Sequence, residues 1–347
     1  MNFKNKLEHL RIELDNQNRL YKPSSFWKEN IRKFFVIFKK QGINNFRSNN
    51  LANNFFIPLY HLKREKHADK FSKIINKKKK NSPKLTTELF RQLSGFNHAL
   101  ADYRVFRSSD NTNKLPYLHT FSENNVGKPK EQFNFEGKVY SRSSLNYLLG
   151  ITCLKKITKN FVPRYVLEIG GGFGILGHIF GLSKVINLKY INLDLPPLSL
   201  VSEMYLKKIF GKYKVTDSLK EIKKKEIYIK KLKKFSSLPS WKIESLKGKI
   251  DLFVNFISFQ EMEPYILKNY IKHIFRLKPK YILLRNLREG KQKITEKNPI
   301  GVKQQIKTNL YISLLKKNYN LIFQNVVPFG YKTYDNYNSE ILIFKKK

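Results

Sequence analysis

Cysteine is almost absent from this chain, because Cys153 is the single thiol among 347 residues. One cysteine excludes an internal disulfide and a cysteine-rich zinc site. Histidine is sparse too, and no two of the seven histidines have the H-x-x-x-H spacing that places two metal ligands on one helix face. The sequence therefore predicts no resident metal site.

Acidic residues and arginine are also scarce. The chain has 26 Asp and Glu against 68 Lys and Arg, a formal net charge of +42, and 13 of the 68 basic residues are Arg, which leaves 55 Lys. Lysine lacks the planar guanidinium with which arginine donates two parallel hydrogen bonds to one phosphate or one base. We therefore expect diffuse surface charge and no specific nucleic-acid partner. A loose electrostatic association with anionic membranes stays open.

Long apolar runs are missing near the start of the chain. The first twenty residues are charged, and the longest early apolar run, residues 34–38, lies between lysines. No secretory or membrane-spanning segment is predicted there, and we expect a cytoplasmic protein. With 41% hydrophobic and 14% aromatic residues, the chain can bury a sizeable core in one or two domains.

Glycine, in contrast, is concentrated at one point. Residues 165–174 read YVLEIGGGFG, an apolar strand that leads through Glu168 into four glycines, and a second apolar strand ends at Asp194. Glycines after a buried strand allow a sharp turn and a close ligand, and the next helix directs free amides at that ligand. An acid about 20 residues further on is placed to bind ribose hydroxyls. Together these features predict a nucleotide-cofactor site.

Two cofactors fit this loop in different frames. Residues 172–177 match the dinucleotide pattern G-x-G-x-x-G, whereas residues 168–174 match the E-x-G-x-G-x-G of S-adenosylmethionine-dependent methyltransferases. In the dinucleotide frame, Gly170 and Gly171 would weaken the strand end, and Glu168 would face an anionic pyrophosphate. In the methyltransferase frame, Glu168 can approach or organise a cationic sulfonium and ammonium. The second frame fits better, and an oxidoreductase remains the alternative in the first.

The pattern from residue 164 onward alternates between strands and helices. The predicted strands are 164–169, 189–194, 226–231, 250–256, 280–285, 321–327 and 340–344, and the predicted helices are 173–183, 198–210, 264–276 and 302–317. This alternation predicts an α/β fold with a doubly wound, mostly parallel seven-stranded sheet. The last two strands have no room for a crossover helix, so they predict a C-terminal antiparallel hairpin.

The N-terminal part differs from the rest. Helices are predicted from Ser24 or Ser25 to Phe38, over 85–106 with an interruption at Ser94-Gly95, and over 141–154, while 74–83 reads as a polar loop or linker. We therefore predict a mainly helical cap or substrate region at 1–160 and a Rossmann-like methyltransferase domain at 161–347.

Three motifs give the chain a resemblance to a known family. They are E-I-G-G-G-F-G at 168–174, L-D-L-P at 193–196 and N-x-x-S-F-Q-E-M at 255–262. With these, the chain resembles the bacterial sugar O-methyltransferases of the class I S-adenosylmethionine-dependent superfamily, most clearly over 140–290. The resemblance implies S-adenosyl-L-methionine as cofactor. It also implies methyl transfer to a sugar hydroxyl of a surface-polysaccharide, nucleotide-sugar or glycolipid precursor.

The expected site lies at the carboxyl ends of the strands, where ligands bind in open α/β sheets. Glu261 is the predicted catalytic base, since Phe259 and Met262 could desolvate it and raise its proton affinity. The alternative is that Glu261 caps the helix near Pro264 or binds backbone amides. The predicted cofactor-binding residues are Glu168, Gly170, Gly171, Gly172, Gly174, Asp194, Leu195 and Asn255. The predicted substrate-binding residues are Ser258, Gln260 and Asn286.

One feature departs from the methyltransferase pattern. Many such enzymes carry an acid near the adenine at strand 3, but residues 232–237 offer only hydroxyls there. Adenine recognition by Ser236 or by a backbone amide is therefore one expectation.

Two further functions stay open. The net charge suggests an RNA methyltransferase, although residues 255–258 lack the Pro-Pro-aromatic platform that holds a flipped base. A non-enzymatic basic nucleic-acid-binding protein with a degenerate methyltransferase fold is the other. The intact glycine loop, Glu168 and Asp194 speak against such degeneration.

Overall fold

A computed structural model describes residues 2–60, 73–75, 77, 82–159, 161–296, 299–326 and 336–347. Half of the predicted linker at 74–83, namely residues 76 and 78–81, lies outside the described residues. The strands are β1 (Phe133–Phe135), β2 (Lys138–Tyr140), β3 (Tyr165–Ile169), β4 (Lys189–Asp194), β5 (Ile227–Tyr228), β6 (Phe235–Pro239), β7 (Leu246–Lys247), β8 (Leu252–Phe256), β9 (Tyr281–Leu287), β10 (Tyr319–Val326) and β11 (Ser339–Lys346).

Seven of the described strands form the central sheet, in the order β10-β11-β9-β8-β3-β4-β6. Neighbouring strands pair in parallel from β9 to β6, whereas β11 runs antiparallel to both β9 and β10. This is the strand order of the class I methyltransferase fold. The predicted doubly wound sheet with a C-terminal antiparallel hairpin is therefore confirmed.

Helices precede the sheet and cover its strands. They are α1 (Phe3–Asp15), α2 (Lys28–Gln41), α3 (Asn50–Phe55), α4 (Pro83–Leu93), α5 (Phe96–Ser109), α6 (Arg142–Thr158), α7 (Ile175–Leu182), α8 (Leu198–Phe210), α9 (Ser218–Ile222), α10 (Pro264–Leu277) and α11 (Thr308–Leu315). Helix α6 packs against both α5 and α7, and α7 and α8 pack on β4. One hydrophobic core runs from Leu7 to Phe344, so N-terminal and sheet residues share the same interior.

The third strand of the sheet was predicted wrongly. Residues 226–231 contain only β5, which pairs with β7 in a separate two-stranded sheet, and the strand beside β4 is β6. Strand β6 was missed because two of its five residues are serines, which interrupt the apolar pattern expected of a buried strand. The Ser236 hydroxyl donates to Thr216 Oγ1 at 2.7 Å and the Ser237 hydroxyl to the Ser199 carbonyl at 2.8 Å, so both polar groups are satisfied inside the core.

Other predicted boundaries differ less. Helix α8 begins and ends as predicted, whereas α11 is shorter than the predicted 302–317. Helix α2 begins at Lys28 because Ser24 does not cap it; its hydroxyl donates instead to the Glu261 carbonyl at 2.6 Å. Helix α1 and the β1-β2 hairpin were not predicted. Among the described helices, none combines the length and hydropathy needed to cross a bilayer.

A buried ion pair joins the N-terminal region to the residues before the sheet. Arg47 Nη2 lies 2.9 Å from Glu123 Oε1, and the two side chains are 1% and 0% exposed. The Arg47 guanidinium also stacks over the Phe173 ring at 5.1 Å. Removing the cation would leave a buried carboxylate with neutral partners.

We expect Arg47→Met to lower the free energy of unfolding by about 3 kcal/mol or more, since breaking one side of a buried pair strands the other charge. Arg107→Met is the matched control, because its pair with Glu136 at 3.2 Å is 37% and 64% exposed and such pairs contribute about 1 kcal/mol or less. Urea unfolding at pH 7 measures both. Equal losses in the two variants would contradict the structural role of the buried pair.

Candidate active site

A pocket lies at the carboxyl ends of β3, β4, β8 and β9. Its floor is the glycine loop after β3, and Asp194 and Leu195 form one side. Trp27, Phe55 and Phe56 of the N-terminal region close it from above. The pocket is partly open and has a volume of about 120 Å³ with these aromatic side chains in place.

At Gly170 and Gly171 the neighbours leave no space for a side chain, whereas a Cβ on Gly172 would make only ordinary contacts, at 3.6 Å or more. A Cβ on Gly170, whose φ is +72°, would lie 2.2 Å from Ser258 Oγ, and a Cβ on Gly171 would lie 2.4 Å from Glu168 Oε2. At separations this short a neighbouring side chain would have to shift. The packing against Ser258 and Glu168 therefore favours glycine at these two positions.

Side chains from β4 hold the loop by its amides. Gly171 N donates to Asn192 Oδ1 at 3.0 Å, and Gly172 N donates to Asp194 Oδ2 at 2.9 Å. Asp194 Oδ1 also accepts from Leu195 N at 2.7 Å. Each carboxylate oxygen retains acceptor capacity for a ligand hydroxyl. Burial raises the pKa of Asp194 to about 7, with hydrogen bonds from Leu195 and Gly172 opposing the shift.

Glu168 lies beneath the loop and does not line the pocket. The hydroxyls of Tyr147 and Tyr190 donate to its two oxygens, each at 2.5 Å. Burial raises the pKa of Glu168 to about 7, and these two hydrogen bonds oppose the rise. Tyr147 does line the pocket, where its ring stacks on Phe256 with centroids 4.6 Å apart. Glu168 can therefore act on a ligand through Tyr147.

Glu168 and Asp194 lie on the same face of the sheet. Glu168 is level with Asn192 in the parallel register of β3 and β4. Asp194 follows Asn192 by two residues, so its side chain points to the same side.

Glu261 lines the pocket and is 4% exposed. Trp27 Nε1 donates to Glu261 Oε2 at 3.0 Å, and Lys291 Nζ lies 3.2 Å from Oε1. Burial raises the pKa of the Glu261 carboxyl above its usual range, while the Lys291 charge lowers it. The alternative role as a helix cap is not seen, since Glu263 occupies the N-cap of α10.

The other predicted residues divide into two groups. Ser258 and Leu195 line the pocket with Gly170, Gly171 and Gly172. Gly174, Asn255, Gln260 and Asn286 are not among the lining residues. The last three make hydrogen bonds that join the strand ends next to the pocket. Asn255 Nδ2 donates to the Ile169 carbonyl at 2.9 Å, and Asn286 Nδ2 donates to Asn255 Oδ1 at 3.4 Å. Gln260 Oε1 accepts a hydrogen bond from Leu287 N at 2.5 Å.

Sequence reasoning missed several lining residues, among them Arg285, Ser143, Asn146 and Ser240. Arg285 could have been noticed, because an arginine inside the apolar strand β9 needs a buried partner or a ligand. Ser240 directly follows β6 and reaches the pocket, whereas Ser236 bonds to Thr216 inside the core. No group of three metal-ligating side chains occurs within the described part of the chain.

Comparisons with known proteins add only remote similarities. No protein-family model matches the chain, and no curated protein matches it by sequence. The magnesium protoporphyrin IX methyltransferase from Synechocystis PCC 6803, solved with bound SAH, is 12% identical, with a TM-score of 0.42 over 71% of this chain and 99% of its own. TehB from Haemophilus influenzae is 15% identical, with a TM-score of 0.38 over 57% and 61%. A SAM-dependent methyltransferase from Aquifex aeolicus is 14% identical, with a TM-score of 0.36 over 56% and 89%. Similarities this remote carry no argument about what this chain binds.

The buried Glu168 should make stability depend on pH. Its pKa is about 7 in the folded protein against 4.5 for an ordinary glutamate, so the folded state holds the proton more tightly. Wild-type stability should therefore fall as pH rises from about 4.5 to 7 and then level off. The free energy of unfolding of Glu168→Gln should therefore rise, relative to that of wild type, by on the order of 2 to 3 kcal/mol between pH 5 and pH 8.

Urea unfolding across that pH range measures the difference. Glu29→Gln, a change at an exposed acid, shows how far a surface acid-to-amide replacement alters the same curve. Parallel stability curves for wild type and Glu168→Gln would show that burial does not perturb this carboxyl.

Proposed function

We propose that this chain is an S-adenosyl-L-methionine-dependent methyltransferase. The observation that carries the proposal is the arrangement around Asp194. Its carboxylate holds the amide of a side-chain-free loop and keeps acceptor capacity toward the pocket. The pocket lies where β3 separates β4 from β8, at the topological switch point at which open α/β sheets bind nucleotides.

The residues present fit this cofactor. Asp194 offers acceptors for the two ribose hydroxyls, and the bare backbone of Gly170–Gly172 allows the close approach of the sulfur-bearing chain. Leu195 and Ser240 line the side where an adenine would lie. When bound, the cofactor supplies a methyl group on a sulfonium, an electrophile that is already activated.

Access to the pocket involves the N-terminal aromatic side chains. Ligand pockets commonly measure about 300–1,000 Å³, whereas this partly open pocket measures about 120 Å³. We therefore propose that Phe55 or Phe56 shifts on binding, while Trp27 keeps its hydrogen bond to Glu261. These residues belong to the helical region before the sheet, which we propose forms a cap over the cofactor site. The sheet side of the pocket needs no change.

Glu261 is our candidate for the general base. Its carboxylate lies in the pocket, away from solvent, and Trp27 and Lys291 fix its orientation. A raised pKa increases its ability to take a proton from an acceptor hydroxyl as the oxygen begins to bond to carbon. The Lys291 charge opposes the rise in the pKa of Glu261 and so favours the ionised carboxylate that a base needs.

We propose a sugar hydroxyl of a glycan or nucleotide-sugar precursor as the acceptor. The motifs at 168–174, 193–196 and 255–262 support this choice through their resemblance to sugar O-methyltransferases. The aromatic wall of Trp27, Phe55 and Phe56 supports it through its chemistry, since flat aromatic faces pack against the C–H faces of sugar rings while polar groups select hydroxyls.

We expect Asp194→Asn to weaken binding of S-adenosylhomocysteine roughly 10- to 100-fold, because hydrogen bonds to a charged acceptor contribute about 1.5–3 kcal/mol. Asp251→Asn is the matched control. Its carboxylate also accepts backbone amides, from Arg164 and Tyr165, but lies at the opposite end of the strands. Calorimetry with folded protein measures both, and unchanged affinity in Asp194→Asn would remove the cofactor assignment.

Glu261→Gln should bind S-adenosylhomocysteine as wild type does but lower methyl transfer about 10²- to 10⁴-fold, the usual contribution of a general base. Transfer of labelled methyl from S-adenosylmethionine to a panel of nucleotide sugars and glycan precursors measures turnover. Glu263→Gln, two residues away and bonded to Ser25 N, is the control. Full turnover by Glu261→Gln would rule out this base.

A further inference from the structure

The edge of the central sheet opposite the pocket carries a row of basic side chains, which we call the basic edge. The pocket lies at the carboxyl ends of the parallel strands, so their amino ends and the carboxyl end of the antiparallel β11 form the opposite edge. Each of the seven strands has Lys or Arg there. In sheet order these are residues 316–317 before β10, 345–347 at the end of β11, Lys278 and Lys280 before β9, Lys249 before β8, Arg164 before β3, Lys189 at the start of β4 and 233–234 before β6.

The basic edge is wide and open to solvent. Seven strands about 4.8 Å apart span roughly 29 Å. All of these basic residues are exposed except Lys189 and Lys234, which are half-buried. One acid, Asp251, lies between the basic residues and the strands that follow them, and its carboxylate accepts the amides of Arg164 and Tyr165. Positive charge therefore dominates the whole edge.

The charges at one end of the edge are close together. The short turn Lys212–Lys214 leads into a parallel bridge between Val215 and Phe235, so it extends the basic edge beside β6. Burial and then the charge of Lys214 lower the pKa of Lys234. Like charges held near one another favour an anionic partner, which relieves their repulsion.

Two apolar side chains project from the same edge. Ile186, in the turn before β4, is 74% exposed, and Tyr213, within the turn beside β6, is 81% exposed. These are the two most exposed large hydrophobic side chains in the part of the chain that the structure describes. Single exposed apolar side chains are common, but both of these lie among the lysines. Apolar and cationic side chains on one surface are typical of proteins that bind at a membrane interface.

Helix polarity explains only part of this arrangement. Helices that connect parallel strands run opposite to them, so α10 and α11 end at the basic edge. Lys278 and Lys316 follow these helices directly and complement the partial negative charge of their C-termini. The lysines at the end of strand β11 have no such role, and neither do Ile186 and Tyr213.

The chemistry of the edge favours a lipid surface over a nucleic acid. Arg164 is its one arginine, whereas paired hydrogen bonds to phosphates and bases need the guanidinium. Lysines near a bilayer are attracted to anionic headgroups without a specific geometry. An exposed isoleucine strengthens association with a bilayer by entering its interface, but it adds nothing to contacts with a phosphate backbone.

We propose that the basic edge binds an anionic lipid surface, with Ile186 and Tyr213 in the headgroup region. This inference is independent of the proposed methyl transfer. Strand β3, of five residues, separates the basic edge from the pocket by roughly 17 Å. The pocket would then open away from the bilayer, and an acceptor in solution could reach it while the protein is bound.

Co-sedimentation of the full chain with vesicles tests this surface. We expect binding to vesicles of equal parts phosphatidylserine and phosphatidylcholine, and at least about tenfold weaker binding to phosphatidylcholine alone. Combining Lys214→Gln, Lys249→Gln and Lys346→Gln should weaken binding to the anionic vesicles about 10- to 100-fold, because each lysine near an anionic surface contributes several-fold.

A second lysine triple at the opposite end of the sheet is the matched control. Lys293, Lys303 and Lys307 are exposed in the segment that joins the carboxyl end of β9 to α11. Their combined replacement by glutamine removes the same charge far from the basic edge, where salt screens it from the bilayer, and should weaken binding less than about threefold.

The apolar contribution has its own pair of variants. Ile186→Ser should weaken binding to the anionic vesicles about three- to tenfold, because an apolar side chain in the interface is lost. Ile300→Ser is the control, since Ile300 is 54% exposed at the pocket end of the sheet, and it should change binding less than about twofold. Circular dichroism and the midpoint of thermal unfolding check that each variant is folded.

Three results would overturn the proposal. If the wild type does not bind the anionic vesicles, the surface is not a lipid-binding one. If the two lysine triples weaken binding equally, net charge alone causes the binding, and unchanged binding by Ile186→Ser would exclude its insertion. If the wild type binds a single-stranded RNA oligonucleotide in place of vesicles, and the triple at the basic edge weakens that binding, the partner is a nucleic acid.

Discussion

The candidate site depends on one constraint, the attachment of the glycine loop to the side chains of Asn192 and Asp194. Two amide hydrogen bonds of 3.0 and 2.9 Å hold the loop. The Gly170 amide adds a further bond to the Leu193 carbonyl at 2.8 Å, and Ser258 and Glu168 occupy the space that side chains at Gly170 and Gly171 would need. The same Asp194 carboxylate faces the pocket. Loop position and ligand recognition are therefore coupled through one residue.

Buried carboxyls surround this loop, and each has partners that offset its burial. Two tyrosine hydroxyls bond to Glu168, two backbone amides to Asp194, and Trp27 and Lys291 to Glu261. Burial nonetheless raises the pKa of all three. Such a cluster is costly to fold and is typical of ligand-binding or catalytic sites. A cationic donor would compensate the negative charge that these groups carry.

Local patterns in the sequence were sufficient for much of this description. The glycine loop and Asp194 could be predicted because each lies at the carboxyl end of an apolar strand. In a parallel sheet these strand ends meet at one edge, which is where the ligand site lies. Ser143 could not, since its place in the pocket depends on the packing of α6, and Arg285 was detectable only as an arginine inside an apolar strand. The strand β6 was missed because its buried serines obtain partners only from distant residues. Glu168 was predicted to approach or organise the cofactor, and the tyrosine hydroxyls that bond to its two oxygens were not indicated by any spacing rule.

The central claim is that the donor lies across the glycine loop with its ribose on Asp194. A crystal structure of the protein grown with S-adenosylhomocysteine tests it most directly. The account predicts ligand density over the glycine loop, with both ribose hydroxyls within hydrogen-bond distance of the Asp194 carboxylate and Phe55 or Phe56 displaced. Density at another place on the molecule, or a ribose turned away from Asp194, would contradict it.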